Sequence, residues 1–241
     1  MEIISREEAP DVQCDNHRRV ADVDCMHCSV RHRMLFADID VESATALLRP
    51  IKHQWFEPGD VLYQQGEQAH ALYSVRRGVI KLSLGSADGD LRIVRLIGPG
   101  GVLGMEALLE DVYQHEAEAL TDLDVCRLPM ATIQQLALEQ PILCKNLMKQ
   151  WRKQLGQADD HLLRLSMGPI HDRVCAMLQE LARLSDKGGV EFQLPSNSDM
   201  AALVAARVET VSRVMADLKR EGMLLKDESG KWSPSAELLA P

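Results

Sequence analysis

The stretch Asp199-Met-Ala-Ala-Leu-Val-Ala-Ala-Arg-Val-Glu-Thr-Val-Ser-Arg213 reads as two short helices joined by a tight turn. Asp199 is placed to cap the first helix, Ala205-Ala206 to make the turn, and Val208 to Glu221 to form the second helix. Val208, Val211, Met215 and Leu218 recur three or four residues apart, which gives that helix a buried side and leaves Glu209, Ser212, Arg213 and Asp217 opposite it. Glu209, Ser212 and Arg213 stand at i, i+3 and i+4 and so project together. A helix has the width that enters the major groove of duplex DNA, where Arg pairs with guanine O6 and N7 and Glu accepts from cytosine N4. Solvated helix faces of other proteins carry the same residue types, so spacing alone leaves a plain surface helix open.

Working outward, Ile170–Leu184 has a helical apolar period, followed by a turn at Lys187-Gly188-Gly189, a strand over Val190–Leu194 and, after the two short helices, a closing hairpin near Ser229-Gly230. Upstream, Gly168-Pro169 ends a long helix that begins just past Pro141. On it Leu143, Leu147, Trp151, Leu155, Ala158, Leu162 and Leu165 recur at steps of 3 or 4 and line one narrow stripe. Packing onto its own domain is one use for such a stripe; the polar flanks favour a two-fold dimer seam through Leu147, Trp151, Leu155, Ala158 and Leu162.

From Ile51 to about Leu128 the period changes to short alternating runs cut by turn signals: Pro58-Gly59-Asp60, Gln65-Gly66-Glu67, Arg77-Gly78, Ala87-Asp88-Gly89-Asp90 and Gly98-Pro99-Gly100-Gly101. Short strands at that spacing imply an antiparallel roll or barrel. The first fifty residues hold three cysteines among charges in an irregular tail, then a helix over Val41–Leu48 closed by Pro50. The expected fold class is α+β: residues 1–50 a Cys-containing segment and helix, 51–129 a β-roll, 130–167 a dimerisation helix and 168–241 a winged helix-turn-helix.

Composition sets bounds on these readings. A chain of 241 residues has room for two modest domains. Its net charge of −9 argues against indiscriminate polyanion binding, because non-specific DNA affinity comes from cations that displace counterions. Arg207, Arg213, Lys219 and Arg220 against Glu209 and Asp217 still leave the second short helix locally positive. No apolar run reaches the ~20 residues that span a bilayer, and the acidic N-terminus lacks an export pattern, so a cytoplasmic protein without a membrane partner is expected. Reduced cysteines then serve as thiols or metal ligands more often than as disulfides.

The run Val208-Glu-Thr-Val-Ser-Arg213, with Leu218 and Glu221-Gly222-Met-Leu after it, resembles the recognition helix and closing wing of the Crp/Fnr family of bacterial transcription regulators. The resemblance extends from about Gln54 to Leu225 and takes in Arg77-Gly78-Val79-Ile80-Lys81 and Gly98-Pro-Gly100 of the expected roll. It implies a β-roll resembling cyclic-nucleotide-binding jelly rolls, a homodimer, binding to double-stranded DNA and contact with RNA polymerase. In the Fnr branch the Glu-x-x-Ser-Arg set reads a TTGAT half-site, which carries that role onto Glu209, Ser212 and Arg213. This chain departs from the family in its Ala205-Ala206 turn, where a glycine and a larger apolar residue are usual, and in lacking an arginine just before Asp199. Around Ala158, oxygen-responsive relatives can carry an acidic residue whose repulsion makes dimerisation conditional.

Cyclic-nucleotide members hold the phosphate with Gly-Glu and an arginine some ten residues on. Here Gly104-Met105-Glu106-Ala107 runs to Tyr113-Gln-His-Glu116 without one, so no cyclic nucleotide is expected. Cys25-x-x-Cys28 sets two thiols close enough to share a metal or cluster, and Cys14 lies eleven residues upstream. Cys126, in Asp124-Val-Cys-Arg-Leu-Pro129, resembles the distant fourth ligand of the Fnr branch, which carries an oxygen-labile [4Fe–4S] cluster. The resemblance implies a cluster on Cys14, Cys25, Cys28 and Cys126, with Cys14 replacing the third cysteine that relatives place shortly after the pair. A redox- or NO-responsive thiol pair, a Zn²⁺ site on Cys14, Cys25, Cys28 and His32, and no cofactor remain open alongside it. No nucleophile–base pair, phosphate loop or paired-carboxylate motif points to an enzyme; a structural zinc or interaction protein is the other class.

Overall fold

The computed structural model describes residues 20–22, 25, 27, 28, 30–85, 91–185, 193–227 and 232–239. Among the described residues, nine strands build the first half: β1 (Val20–Asp22), β2 (Lys52–Phe56), β3 (Val61–Tyr63), β4 (Ala71–Arg77), β5 (Ile80–Gly85), β6 (Leu91–Ile97), β7 (Val102–Leu103), β8 (Glu116–Ala119) and β9 (Leu123–Pro129). They form two antiparallel sheets in the orders β1-β2-β9-β4-β7 and β3-β8-β5-β6. Phe56, Tyr63, Val75, Ile80, Leu103 and Val125 fill the space between them. Gly78 links β4 to β5 at φ +87°, and a Cβ there would lie 2.1 Å from the Asp122 carbonyl oxygen, so only glycine fits this turn.

Among the described residues, the N-terminal segment departs from the sequence reading at two places. Residues 20–22 add strand β1 to the edge of β2, where an irregular tail is expected. The helix expected over Val41–Leu48 shrinks to α1 (Thr45–Leu48). The Asp40 carboxylate accepts from the Glu42 amide at 3.2 Å and the Asp40 carbonyl from the Ser43 hydroxyl at 3.1 Å, a local turn that displaces the first helical one.

After α2 (Met130–Glu139), α3 (Ile142–Ser166) runs as the long helix. Three amides spaced four apart stitch it to the first half: Asn146 donates to the Leu35 carbonyl at 3.1 Å, Gln150 to that of Gly100 at 2.9 Å and Gln154 to that of Val102 at 2.5 Å. This face covers the roll, and it sits about 100° from the apolar stripe.

The C-terminal part consists of α4 (Ile170–Leu184), α5 (Asn197–Leu203), α6 (Val208–Arg220), β10 (Leu224–Lys226), β11 (Trp232–Pro234) and α7 (Ala236–Leu239). β10 and β11 pair antiparallel as the wing. The turn expected at Lys187-Gly188-Gly189, the start of the strand expected over Val190–Leu194 and the hairpin tip at Ser229-Gly230 lie outside the described residues. Its core joins that of the roll: Val79, Ile93, Leu96 and Leu120 pack in one cluster with Met177, Leu181, Leu203 and Met215. Gly98 admits the Leu184 side chain, whose Cδ2 would stand 2.9 Å from an added Cβ.

Candidate DNA interface and sensing residues

Helix α6 is held from behind. Val211, Met215 and Leu218 are fully enclosed against α4 and α5, each such side chain being worth about 1.5–3 kcal/mol of burial. Glu209 and Arg213 are exposed and Ser212 half-buried, all three on the free side. Val208, expected in the core, is 40% exposed, because it starts the helix beside the turn rather than under it. Arg213 makes no ion pair or hydrogen bond among the described residues, which leaves its guanidinium available to a ligand. The Met223 backbone N–H closes the helix by donating a hydrogen bond to the Leu218 carbonyl at 2.9 Å, and Lys219 lies 4.4 Å from the Trp232 ring centre, fixing the wing beside α6.

The turn before α6 is strained. Ala205 has φ +53°, the one non-glycine residue with positive φ among those described. Arg173 of α4 donates to the Val204 carbonyl at 2.8 Å and pins this turn. The helix before it is capped by Ser196, whose hydroxyl accepts from the Asp199 amide at 3.0 Å, and not by Asp199 as expected. Asp199 is freed for another partner: its carboxylate meets the Lys81 ammonium of β5 at 2.5 Å, while Glu118 of β8 meets the same ammonium at 2.9 Å.

The apolar stripe of α3 divides. Leu143, Leu147 and Leu165 are buried within their own chain, whereas Trp151 (39%), Leu155 (62%) and Leu162 (60%) are exposed and Ala158 is half-buried. Met148, which the sequence stripe does not single out, is 68% exposed and lies just under one turn before Trp151. A contiguous run of exposed Met, Trp and Leu on one helix is unusual for a face that meets only water.

Cys25, Cys28 and Cys126 are the sequence-expected ligands that lie among the described residues. Cys126 of β9 is buried, facing His53 of β2 and Ser74 of β4 in register. Burial pushes its thiol up to about 12, with Arg76 working against the shift and Cys25 and Cys28 adding to it. Cys25 packs onto the same apolar cluster. Cys14 lies outside the described residues, and among those described no three His, Cys, Asp or Glu side chains stand at metal-holding distance. His32 is exposed.

Inside the roll, the segment after Gly104 is occupied by the protein's own side chains. Glu106 faces His115 Nδ1 at 3.5 Å, His115 Nε2 lies 2.8 Å from Arg95, and Arg95 donates to Gln154 of α3 at 3.3 Å. Tyr63 stacks on Tyr113 at 3.7 Å between ring centres. The sequence does not single out Arg95, because a bulge opposite Leu82 and Ser83 interrupts the alternation of β6.

Comparison with known proteins bears on the whole arrangement. A family model described as cyclic nucleotide-binding domain matches residues 53–140, and one described as Crp-like helix-turn-helix domain matches residues 172–232. The transcriptional activator protein FnrA of Stutzerimonas stutzeri is 26% identical over 205 residues, 83% of this chain and 84% of that protein. The fumarate and nitrate reduction regulatory protein of Escherichia coli (strain K12) is 25% identical over 207 residues, 84% of this chain and 83% of the relative. Among solved structures, FixK2 from Bradyrhizobium japonicum superposes with a TM-score of 0.67 at 24% identity, covering 78% of this chain and 95% of that one. A CRP/FNR family regulator from Thermus thermophilus gives 0.61 at 27% identity, covering 78% and 97%.

Proposed function

Because this chain belongs to the Crp/Fnr family of transcription regulators, and is a DNA-binding regulator rather than an enzyme, we propose that it acts as a homodimer that reads a two-fold TTGAT-like site through Glu209, Ser212 and Arg213. One observation carries this reading: the three side chains share the free face of a helix whose other face is locked into the core. Two such helices related by a dimer axis meet half-sites about one helical turn apart. Trp151, Leu155, Ala158 and Leu162, with Met148, supply the seam, and RNA polymerase is the protein partner. Fluorescence anisotropy with a duplex bearing two inverted TTGAT half-sites tests it. Tight binding there and weak binding to a scrambled duplex is expected; equal affinity for both contradicts it.

The signal we assign is redox, through a [4Fe–4S] cluster on Cys14, Cys25, Cys28 and Cys126. The donor chemistry supports this reading: Cys25, Cys28 and Cys126 are thiols rather than disulfides, and an iron bond would stabilise a Cys126 thiolate that burial alone disfavours. When bound, such a cluster supplies an iron centre open to attack by oxygen or NO. The chain's own residues tie the N-terminal segment to β9 and, through α2, to the start of α3, so a change at the thiols bears on the seam. A cyclic nucleotide is not assigned, because Arg95, His115, Glu106 and the stacked tyrosines already satisfy one another where it would lie. Anaerobic purification followed by visible absorption and iron and sulfide analysis decides the point: zinc or no metal contradicts the cluster and leaves DNA binding intact.

A further inference from the structure

A cavity of about 340 Å³ opens outside the roll, where β6, the second half of α3 and α4 meet. The amide stitching of α3 ends at Gln154, and from there the helix face that covered the roll turns over this space with Gln157, His161 and Leu165. Four cations from three elements surround it, Arg95, Lys153, Arg164 and Arg183, against two carboxylates, Asp160 and Glu180. Arg183 is committed to Glu180 at 2.8 Å. Lys153, on the exposed rim, has no ion pair or hydrogen bond among the described residues. Desolvation and the nearby Arg183 and Arg33 groups hold its ammonium below the usual lysine value. In a protein of net charge −9, the two carboxylates leave a local cation surplus here, and Lys153 has no ion-pair partner among the described residues.

The inner wall supplies a second, independent observation. His161 Nε2 is enclosed and has no hydrogen-bond partner among the described residues, a costly state for a buried polar atom. Burial holds the imidazole below the usual histidine value, and the backbone of Leu203, on α5, works against that shift. An oxyanion that carries a proton satisfies Nε2.

We propose that this cavity is a binding site for a small multiply charged phosphoryl anion, held by Lys153 and by the guanidinium N–H groups that Arg95 does not spend on Gln154 and His115 and that Arg164 does not spend on Gln179, and donating to His161 Nε2. Its volume lies at the small end of ligand pockets, which suits a compact phosphorylated metabolite. A phosphoryl group has more acceptor oxygens than a carboxylate and so receives donors arriving from several elements at once. The ligand bridges β6 of the roll to α3, which carries the apolar seam, beside α4, the first helix of the DNA-binding part. Neither the thiols nor the recognition face takes part, so the site stands apart from both proposals above.

The test is calorimetric titration of the full-length protein with inorganic pyrophosphate, paired with ¹⁵N-histidine spectra. Saturable one-site binding with movement of the His161 resonances is expected, weakened about tenfold or more in Lys153→Glu and unchanged in Arg213→Ala. Lys153 is exposed, so that variant folds, which thermal unfolding without ligand verifies. Absence of saturation in the millimolar range, undiminished binding by Lys153→Glu, or loss of binding in Arg213→Ala overturns the site; citrate binding as tightly as pyrophosphate overturns the phosphoryl class.

Discussion

Lys81 and Asp199 are separated by 118 residues in the chain, and their side chains meet at 2.5 Å, joining strand β5 of the roll to the first turn of helix α5 in the DNA-binding part. The Lys81 ammonium is almost enclosed, with Glu118 as its second partner, and the two carboxylates together hold it above the usual lysine value despite burial. A nearly buried cation with two anions in different parts of the chain fixes orientation as well as adding stability. Lys81→Met leaves Glu118 and Asp199 facing each other without a counter-charge and is expected to cost about 1–3 kcal/mol in urea unfolding. A double-mutant cycle with Asp199→Asn is expected to give a coupling of about 1–2 kcal/mol; additive effects contradict a direct bond.

The strained turn gives the opposite sign. Ala205 holds a left-handed backbone that a Cβ disfavours by about 1–2 kcal/mol, while glycine loses part of that gain through its freer unfolded chain. Ala205→Gly is expected to raise stability by about 0.5–1 kcal/mol, read as a higher midpoint in thermal unfolding, and DNA preference stays as it was. A lower midpoint contradicts the backbone assignment.

Burial, with Arg76 beside it, lowers His53 from 6.5 to about 4. Between those values the unfolded chain binds a proton that the folded chain refuses, so this contribution is whole above about pH 6.5 and is lost as pH falls toward 4. His161, lowered by burial, acts in the same sense. Chemical unfolding at about pH 7 and pH 5 is expected to show the wild type losing more stability on acidification than His53→Gln. Equal losses rule out this origin.

The seam is tested by a charge. Trp151→Asp places a carboxylate among Leu155, Leu162 and Met148 and is expected to shift the protein to monomer in sedimentation, with DNA affinity falling alongside. A dimer of unchanged stability excludes this face. Ala158 brings no repulsion to the axis, so metal-free wild-type protein is expected to stay dimeric at micromolar concentration; a strict monomer contradicts that.

How much of this was legible in the sequence follows from how local each signal is. Helices α3, α4 and α6 appear where their apolar period and proline or glycine boundaries put them, because periodicity and breakers act within a few residues. The roll is readable from turn residues such as Gly78, where the Asp122 carbonyl leaves no room for a Cβ. What stayed hidden depends on distant partners. Asp199 looks like a cap until Ser196 is seen to do that work and Lys81 to claim the carboxylate. Leu147 belongs to the apolar stripe, but only the folded chain reveals that the roll side covers it and that Met148 faces out instead. The cavity unites three elements, and nothing in the spacing of Arg95, Lys153 and Arg183 announces it.

The central claim is that the α6 face reads bases, and the most direct measurement is the affinity of wild type and Arg213→Ala for the inverted TTGAT duplex and for single base-pair variants of it. The variant is expected to lose about 1–3 kcal/mol on the preferred site and to become indifferent at one base pair per half-site while keeping the other preferences. A loss of the same size on every duplex, scrambled ones included, means that Arg213 touches only the phosphate backbone and contradicts base reading by this helix.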